Sequence, residues 1–217
     1  MSKKLTFLIL SGPTKEYIDP VRYISNESSG KMGLALAEYA VKKGHKVIFI
    51  SGETVKYPEH VKLIKVVSAV EMFEKLKSNL QKADIIISAA AVADYRPSKF
   101  QKQKMKKSSD SVLLKFEKNP DILKYCGRNK FNKVTVGFAL ETQNLVTNAR
   151  FKLKSKKLDF IIANGIDSFN SDKTTVYLIK YNSTLKIINK SKKFIAGKIV
   201  NEAVSILENI RSLKKNI

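Results

Sequence analysis

The chain has 217 residues, 43% hydrophobic and 28% charged. That is enough to bury roughly 70% of the unfolded surface, which excludes wholesale disorder and dependence on disulfide or metal staples, and the length points to one α/β domain spanning residues 1–217. A formal charge of +22 concentrates phosphates near the surface without choosing among nucleotides, other anionic metabolites and nucleic acid.

Short apolar runs alternate with amphipathic stretches, the pattern of strands buried on both faces and joined by crossover helices, so a mainly parallel central sheet in a Rossmann-like three-layer α/β fold is expected. Leu5 to Leu10 reads as the first strand, Gly30 to Lys43 as a helix ended by Gly44, and Lys46 to Ile50 as the second strand. Val61 to Val67 reads as a third strand. Ser68-Ala69-Val70-Glu71 forms a capping box opening a helix to about Leu80, and Ile85 to Ala90 a fourth strand. From Ser98 to Asp110 only Phe100 and Met105 are apolar, which predicts a mobile loop. Val112 to Phe116 reads as a strand, and Asn119-Pro120-Asp121 as a helix start with Asn119 as the cap and Pro120 at the first helical position. The βα rhythm repeats in Val134 to Phe138, a helix from about Gln143 to Lys156, and Phe160 to Ala163. Thr174 to Ile179 with Leu185 to Ile188 reads as a C-terminal hairpin, and Phe194 to Ile210 as a closing helix. No internal repeat or linker is visible.

The single cysteine, Cys126, excludes an internal disulfide framework and fits a reducing compartment, so a cytoplasmic protein is expected. The N-terminal apolar run stops at Ser11-Gly12-Pro13, too short for a secretory signal, and Ile85 to Ala93 is too short to span a membrane. Lysines are spread along the whole chain, and Tyr and Phe sit mostly inside apolar runs. A solvated Lys-biased surface is therefore expected, with neither a nucleic-acid face nor a membrane contact.

Several stretches can carry chemistry, and each also has an ordinary structural reading. Asn26 to Gly33, with Ser28, Ser29 and Gly30, sits where the first crossover helix begins and is either an anion cradle or a plain serine cap with packing glycines; it matches neither the Walker pattern nor G-x-G-x-x-G. Gly12, in Ser11-Gly12-Pro13-Thr14, belongs to a ligand loop or a simple turn. Ala89 to Ala93 sets small residues beside Asp94 at the carboxyl edge of the sheet, room for a flat base or a ribose; Asp94 is equally a turn former before Pro97. Lys102, Lys104, Lys106 and Lys107 form either a phosphate-covering loop or a solvated face. Lys152 and Lys156 share one helix face and either grip one anion or reflect lysine abundance. His45 and His60 lack nucleophile partners, and Cys126 reads as a small core residue, so any chemistry here is positional and electrostatic.

Taken together, Asp19-Pro20-Val21-Arg22-Tyr23-Ile24-Ser25-Asn26, Ser28-Ser29-Gly30-Lys31-Met32-Gly33, Ala90-Ala91-Val92-Ala93-Asp94-Tyr95, Lys104-Met105-Lys106-Lys107, Asn119-Pro120-Asp121-Ile122, Val136-Gly137-Phe138-Ala139 and Asp159 through Asn164 resemble phosphopantothenoylcysteine synthetase along nearly the entire chain. Leu140, where many relatives have Ala, and Gly165, where Asp is common, depart from the pattern. The resemblance implies a ligase that activates 4′-phosphopantothenate with CTP, releases pyrophosphate, and transfers the acyl group to L-cysteine, with Mg²⁺ on the phosphates and a homodimer as the working unit. The lysine motif resembles the CTP-using bacterial form more than the ATP-using one, and the chain starts at the synthetase, with no flavin decarboxylase before it. Carried over by motif, Asn26 holds the acyl-cytidylate carbonyl and Arg22 supports the intermediate or its conversion. Asp94, Asn119, Pro120, Asp121 and Ile122 fit the cytidine, Phe138 lies beside it, and Lys104, Lys152 and Lys156 meet the phosphates. The readings that compete with this one are an ATP-dependent ligase of the same kind and a basic nucleic-acid-binding module.

Overall fold

The computed structural model describes residues 3–107, 111–165, 171 and 173–215. Its strands are Thr6–Ser11 (β1), Lys15–Tyr17 (β2), Tyr23–Ser25 (β3), Lys46–Ser51 (β4), Lys62–Lys65 (β5), Ile85–Ser88 (β6), Tyr95–Pro97 (β7), Phe116–Lys118 (β8), Val134–Leu140 (β9), Phe160–Asn164 (β10), Lys173–Ile179 (β11) and Thr184–Ser191 (β12). The helices are Lys31–Lys42 (α1), Ala69–Asn79 (α2), Ile122–Arg128 (α3), Leu145–Ser155 (α4) and Lys192–Lys215 (α5).

Successive residues of a strand point to opposite faces, so a strand apolar at every position needs cover on both sides. In β1, Phe7 and Ile9 pack into one core while Leu8 and Leu10 pack into another; Val47 and Phe49 of β4 divide from Ile48 and Ile50 in the same way. The first core is closed by Leu36, Ala37 and Ala40 of α1 against Ile195, Ile199 and Ala203 of α5. The second is closed by Met72 and Leu76 of α2 with Ile122 and Cys126 of α3, and α4 covers the β9–β11 side through Ala149 and Leu153. Burial, with the Asp121 carboxylate adding to it, pushes the Cys126 thiol up to about 12, so this sulfur behaves as a small core residue.

The eight-stranded sheet runs β12-β11-β10-β9-β6-β1-β4-β5. β5, β4, β1, β6, β9 and β10 pair in parallel, and β11 and β12 are antiparallel. The expected three-layer architecture with its C-terminal hairpin and helix is therefore present. Chain order reverses between β1 and β6, the place where open α/β sheets leave a crevice at the carboxyl ends of their strands.

Two local expectations are corrected. The strand expected over Val112 to Phe116 begins only at Phe116, and β8 pairs with β7 in a separate two-stranded ribbon. β6 pairs directly with β9, leaving no central slot for this segment, and Leu113 is 99% exposed. The helix expected to be capped by Asn119 is capped by Asp121, whose carboxylate accepts from Lys124 N at 2.9 Å, because the Asn119 amide is engaged elsewhere. Residues 108–110 of the expected Ser98 to Asp110 loop lie outside the described residues.

The start of α1 presses on the end of β1, and this contact requires Gly33. A Cβ there would meet Ser11 Oγ at 2.1 Å and Ser11 Cβ at 2.5 Å, and Ser11 is fully buried. Gly33→Ala should therefore destabilise the protein by about 1–3 kcal/mol, the range for overpacking a filled site. Urea denaturation reads this, and an unchanged midpoint would show that Ser11 yields freely.

Candidate active site

The crevice at the β1/β6 reversal is a cleft of ≈ 920 Å³, within the range of small-molecule sites. One wall is the run from Asn26 to Met32 entering α1, and the floor is Ser88 to Tyr95 after β6. The opposite wall is Lys118 to Leu123 with Phe138 and Leu140, closed by Lys152 of α4 and Lys156 just past its end. The far end carries Asn164, Thr174, Val176 and Lys192. Asn26, Ser28, Ser29, Gly30, Asp94, Asn119, Pro120, Asp121, Ile122, Phe138, Lys152 and Lys156, which lie far apart in sequence, thus share one cavity.

The anion-facing end rests on backbone geometry. Gly30 is the N-cap of α1 with φ 69° and no side-chain cap, so the serine-cap reading of Ser28 and Ser29 is not what ends this helix. A Cβ at Gly30 would lie 2.3 Å from Thr54 Cγ2, so the turn demands glycine for space as well as for torsion. The positive end of the α1 dipole therefore meets the cleft without a protein side chain capping it.

Asn119 clamps two cleft segments together. Its backbone N–H donates to Asp94 O at 2.8 Å and its Nδ2 to Ala93 O at 2.8 Å, while its Oδ1 accepts from the Arg96 guanidinium at 3.0 Å. Arg96 also donates to Lys118 O at 3.0 Å and pairs with Glu117 at 2.7 Å. The Asn119 amide is thus engaged at both ends and shapes the cleft, whose lining carboxylate residues are Glu27, Asp94 and Asp121.

Lys152 in α4 and Lys156 just past its end each face an internal carboxylate. Lys156 Nζ lies 3.0 Å from Asp121 Oδ1, and Lys152 Nζ lies 2.6 Å from Glu141 Oε1, a buried oxygen off the line of a good hydrogen bond. Asn148 donates to the other Glu141 oxygen at 3.1 Å. Asn26 donates one amide hydrogen to Val92 O at 3.0 Å, which sets the side chain over the alanine run and leaves a second hydrogen on the same nitrogen.

Arg22, Lys104 and Gly12 do not line the cleft. Gly12, at φ 71°, turns the chain after β1 against Thr54 and Ser51. Arg22 and the segment bearing Lys104 meet at Asp19. Burial pushes the Asp19 carboxyl up, but backbone donors from Val21, Met105 and Arg22, with the Arg22 guanidinium, outweigh this and hold it below the usual carboxylate range. Sequence reasoning missed Asp19, Thr14, Glu16 and Arg96. Thr14 Oγ1 accepts from Ala93 N at 3.0 Å, and Glu16, which is nearly buried, accepts from Ala69 N at the start of α2 at 2.9 Å. The Asp-Pro-x-Arg pattern at Asp19 is the one local signal that pointed to a carboxylate-capped turn.

Among the described residues, no group of three or more His, Cys, Asp or Glu side chains is placed to hold a metal, and no helix is long and apolar enough to cross a membrane. The chain is 45% identical over 205 residues to the coenzyme A biosynthesis bifunctional protein CoaBC of Haemophilus influenzae and 40% identical over 214 residues to that of Bacillus subtilis. These matches cover 92% and 96% of this chain and 51% of each relative, so the chain spans about half the length of the curated relatives it matches. A crystal structure of the C-terminal domain of a CoaBC protein superposes with a TM-score of 0.83 at 37% identity, covering 94% of this chain and 96% of that one. Residues 2–207 match the family described as the DNA/pantothenate metabolism flavoprotein C-terminal domain, and the chain belongs to that family.

Proposed function

We propose that this chain, acting as a single domain over residues 1–217, is the CTP-dependent ligase that joins 4′-phosphopantothenate to L-cysteine in coenzyme A synthesis. The observation that carries the reading is the gathering of twelve motif residues into the cleft at the sheet's reversal. The substrate carboxylate attacks the α-phosphorus of CTP, the bond to the β-phosphate breaks and pyrophosphate leaves. The cysteine amine then attacks the acyl carbon, losing a proton as CMP departs. Neither step needs a nucleophile from the protein, only placement and charge neutralisation.

Lys152 and Lys156 meet the triphosphate by exchanging their carboxylate partners for phosphate oxygens, Asp94 accepts from the ribose, and Ile122 and Phe138 flank the base. Mg²⁺ is a hard cation suited to phosphate oxygens and water, and it enters as the chelate of CTP. The Asn26 amide holds the acyl-cytidylate carbonyl, and the open α1 terminus with Ser28, Ser29 and Gly30 takes the phosphate of the pantothenate substrate. Arg22 acts on the intermediate. Two neighbouring ribbons, β2–β3 and β7–β8, expose Val21, Tyr23 and Tyr95, which supports a homodimer, and the single cysteine supports a cytoplasmic location.

One coupled assay tests the reading. Phosphopantothenate, L-cysteine and Mg²⁺ with CTP should give pyrophosphate, CMP and phosphopantothenoylcysteine, and ATP should give much less. Equal turnover with ATP would move the chain to the ATP-dependent form. No turnover with either nucleotide, together with steeply salt-dependent RNA or DNA binding, would overturn the ligase reading. Asn26→Asp should still bind nucleotide but lose product formation about 100-fold or more, since a carboxylate replaces an amide donor beside an anionic intermediate; wild-type turnover would remove Asn26 from the reaction. Lys104→Gln should slow pyrophosphate release about 100-fold with an unchanged thermal midpoint, because the side chain is exposed. An unaltered rate would remove Lys104 from the first step.

A further inference from the structure

Asp19 is a fully buried carboxylate whose two oxygens have separate tasks. Oδ1 accepts from Val21 N and Arg22 N, both at 2.9 Å, and with the backbone bond from Ile18 N to Arg22 O at 2.8 Å these close the turn after Pro20. Oδ2 reaches outside the turn as well as into it. It accepts from the Arg22 guanidinium at 2.9 Å and from Met105 N at 3.1 Å, eighty-six residues away. The ring closes where Arg22 donates to Met105 O at 3.1 Å. A second tie runs from Gln101 N to Ile18 O at 2.9 Å. Lys102, Gln103 and Lys104 thus lie between two anchors that both sit on the β2–β3 hairpin, and the strand leaving that hairpin leads directly to Asn26 at the cleft.

We propose that Asp19 is a positioning residue for the activation step: its Oδ2 latches the lysine segment at Met105 and so sets the reach of Lys104. A carboxylate needed only for the turn would use one oxygen and leave the other to water. Here the second oxygen is buried and committed to a loop that is otherwise exposed and lysine-rich. The inference rests on the reading of Lys104 as a cation of the first step, and its structural half can be measured without that reading.

Asp19→Asn separates the two tasks. The amide oxygen can keep the turn, while an NH₂ group in the place of Oδ2 meets the Met105 N–H and the guanidinium donor to donor. Hydrogen exchange should show at least tenfold faster exchange at Met105 and Gln101, with α1 and β1 unchanged. Pyrophosphate release, measured without cysteine so that the later step involving Arg22 does not enter, should fall at least tenfold at saturating CTP. In a Lys104→Gln background the same Asp19→Asn change should cost less than twofold, because its effect passes through Lys104. Unchanged exchange at Met105 and Gln101 overturns the latch whatever the activity. Losses that multiply in the double variant overturn its link to Lys104. If Asp19→Asn does not fold, Met105→Pro removes the same donor from the loop side and must reproduce the faster exchange at Gln101 and the slower pyrophosphate release, or the proposal fails. Absence of pyrophosphate release from the wild-type protein would strike the proposed function alone, leaving the exchange measurement to decide on the latch.

Discussion

The contact between Gly33 and Ser11 sets where the cleft can be. The first crossover helix of a parallel sheet must start close to the end of the strand it follows, and its N-terminal turn can reach the sheet's reversal only if nothing projects between them. Ser11 fills the space completely, so α1 has room for a hydrogen and no more at Gly33. Once α1 is seated there, its uncapped first turn, the alanines after β6 and the turn before α3 fall within one cavity. The small residues serve the same end from the other side, because bulk at Ala89 to Ala93 would fill the crevice that the strand order opens.

Charge in the cleft is arranged to be exchangeable. In a chain carrying +22, unpaired lysines around a cavity would repel one another, yet Lys152 and Lys156 rest on carboxylates. The partly exposed Lys156–Asp121 pair is worth about 0–1 kcal/mol, whereas phosphate oxygens form shorter, charge-assisted bonds. A polyanion entering the cleft can therefore take the Lys156 ammonium at little cost and finds it already held near its working position. Glu141 is the more constrained partner, because Asn148 holds its second oxygen.

Much of this was legible in the amino-acid pattern, and the reason is periodicity. Strands with apolar residues at every position, such as Ile85 to Ile87, require two covered faces and so reveal the parallel sheet. Ser68 caps α2 as expected, accepting from Glu71 N at 3.2 Å, while the Glu71 carboxylate reaches one residue past the cap and accepts from Val67 N at 2.8 Å in place of the Ser68 N–H of a full capping box. Three-residue strands carry no period, and β2, β3 and β7 passed unnoticed for that reason. Asn119 shows a different limit. Asn-Pro-Asp satisfies the local rules for a helix start at either polar residue, and the choice is made by Ala93 and Arg96, which are distant in sequence and compete successfully for the Asn119 amide. Motif spacing marked the residues that line the cleft; of the side chains behind them, Asp19 alone carries a local signal, and Arg96, Thr14 and Glu16 are defined by contacts that cross the fold.

Those supporting side chains have a common logic. Thr14 fixes Ala93, Glu16 fixes the start of α2, Asp19 fixes Met105, and Asn119 fixes both Ala93 and Asp94. Each is a polar group whose partner is backbone from a different segment, so each turns an irregular loop into a defined wall without a hydrophobic core of its own. A reaction that forms no bond to the protein can depend only on where its reactants are held, and misplacement by an ångström at such a site is costly. Thr14 and the hairpin that follows it, Lys15 to Ser25, make three of these attachments within six residues, and the hairpin delivers Asn26 at its end. Its short strands are therefore best understood as a bracket that carries one amide to the floor of the cleft, which explains why polar residues are buried in a segment too small to bury anything else.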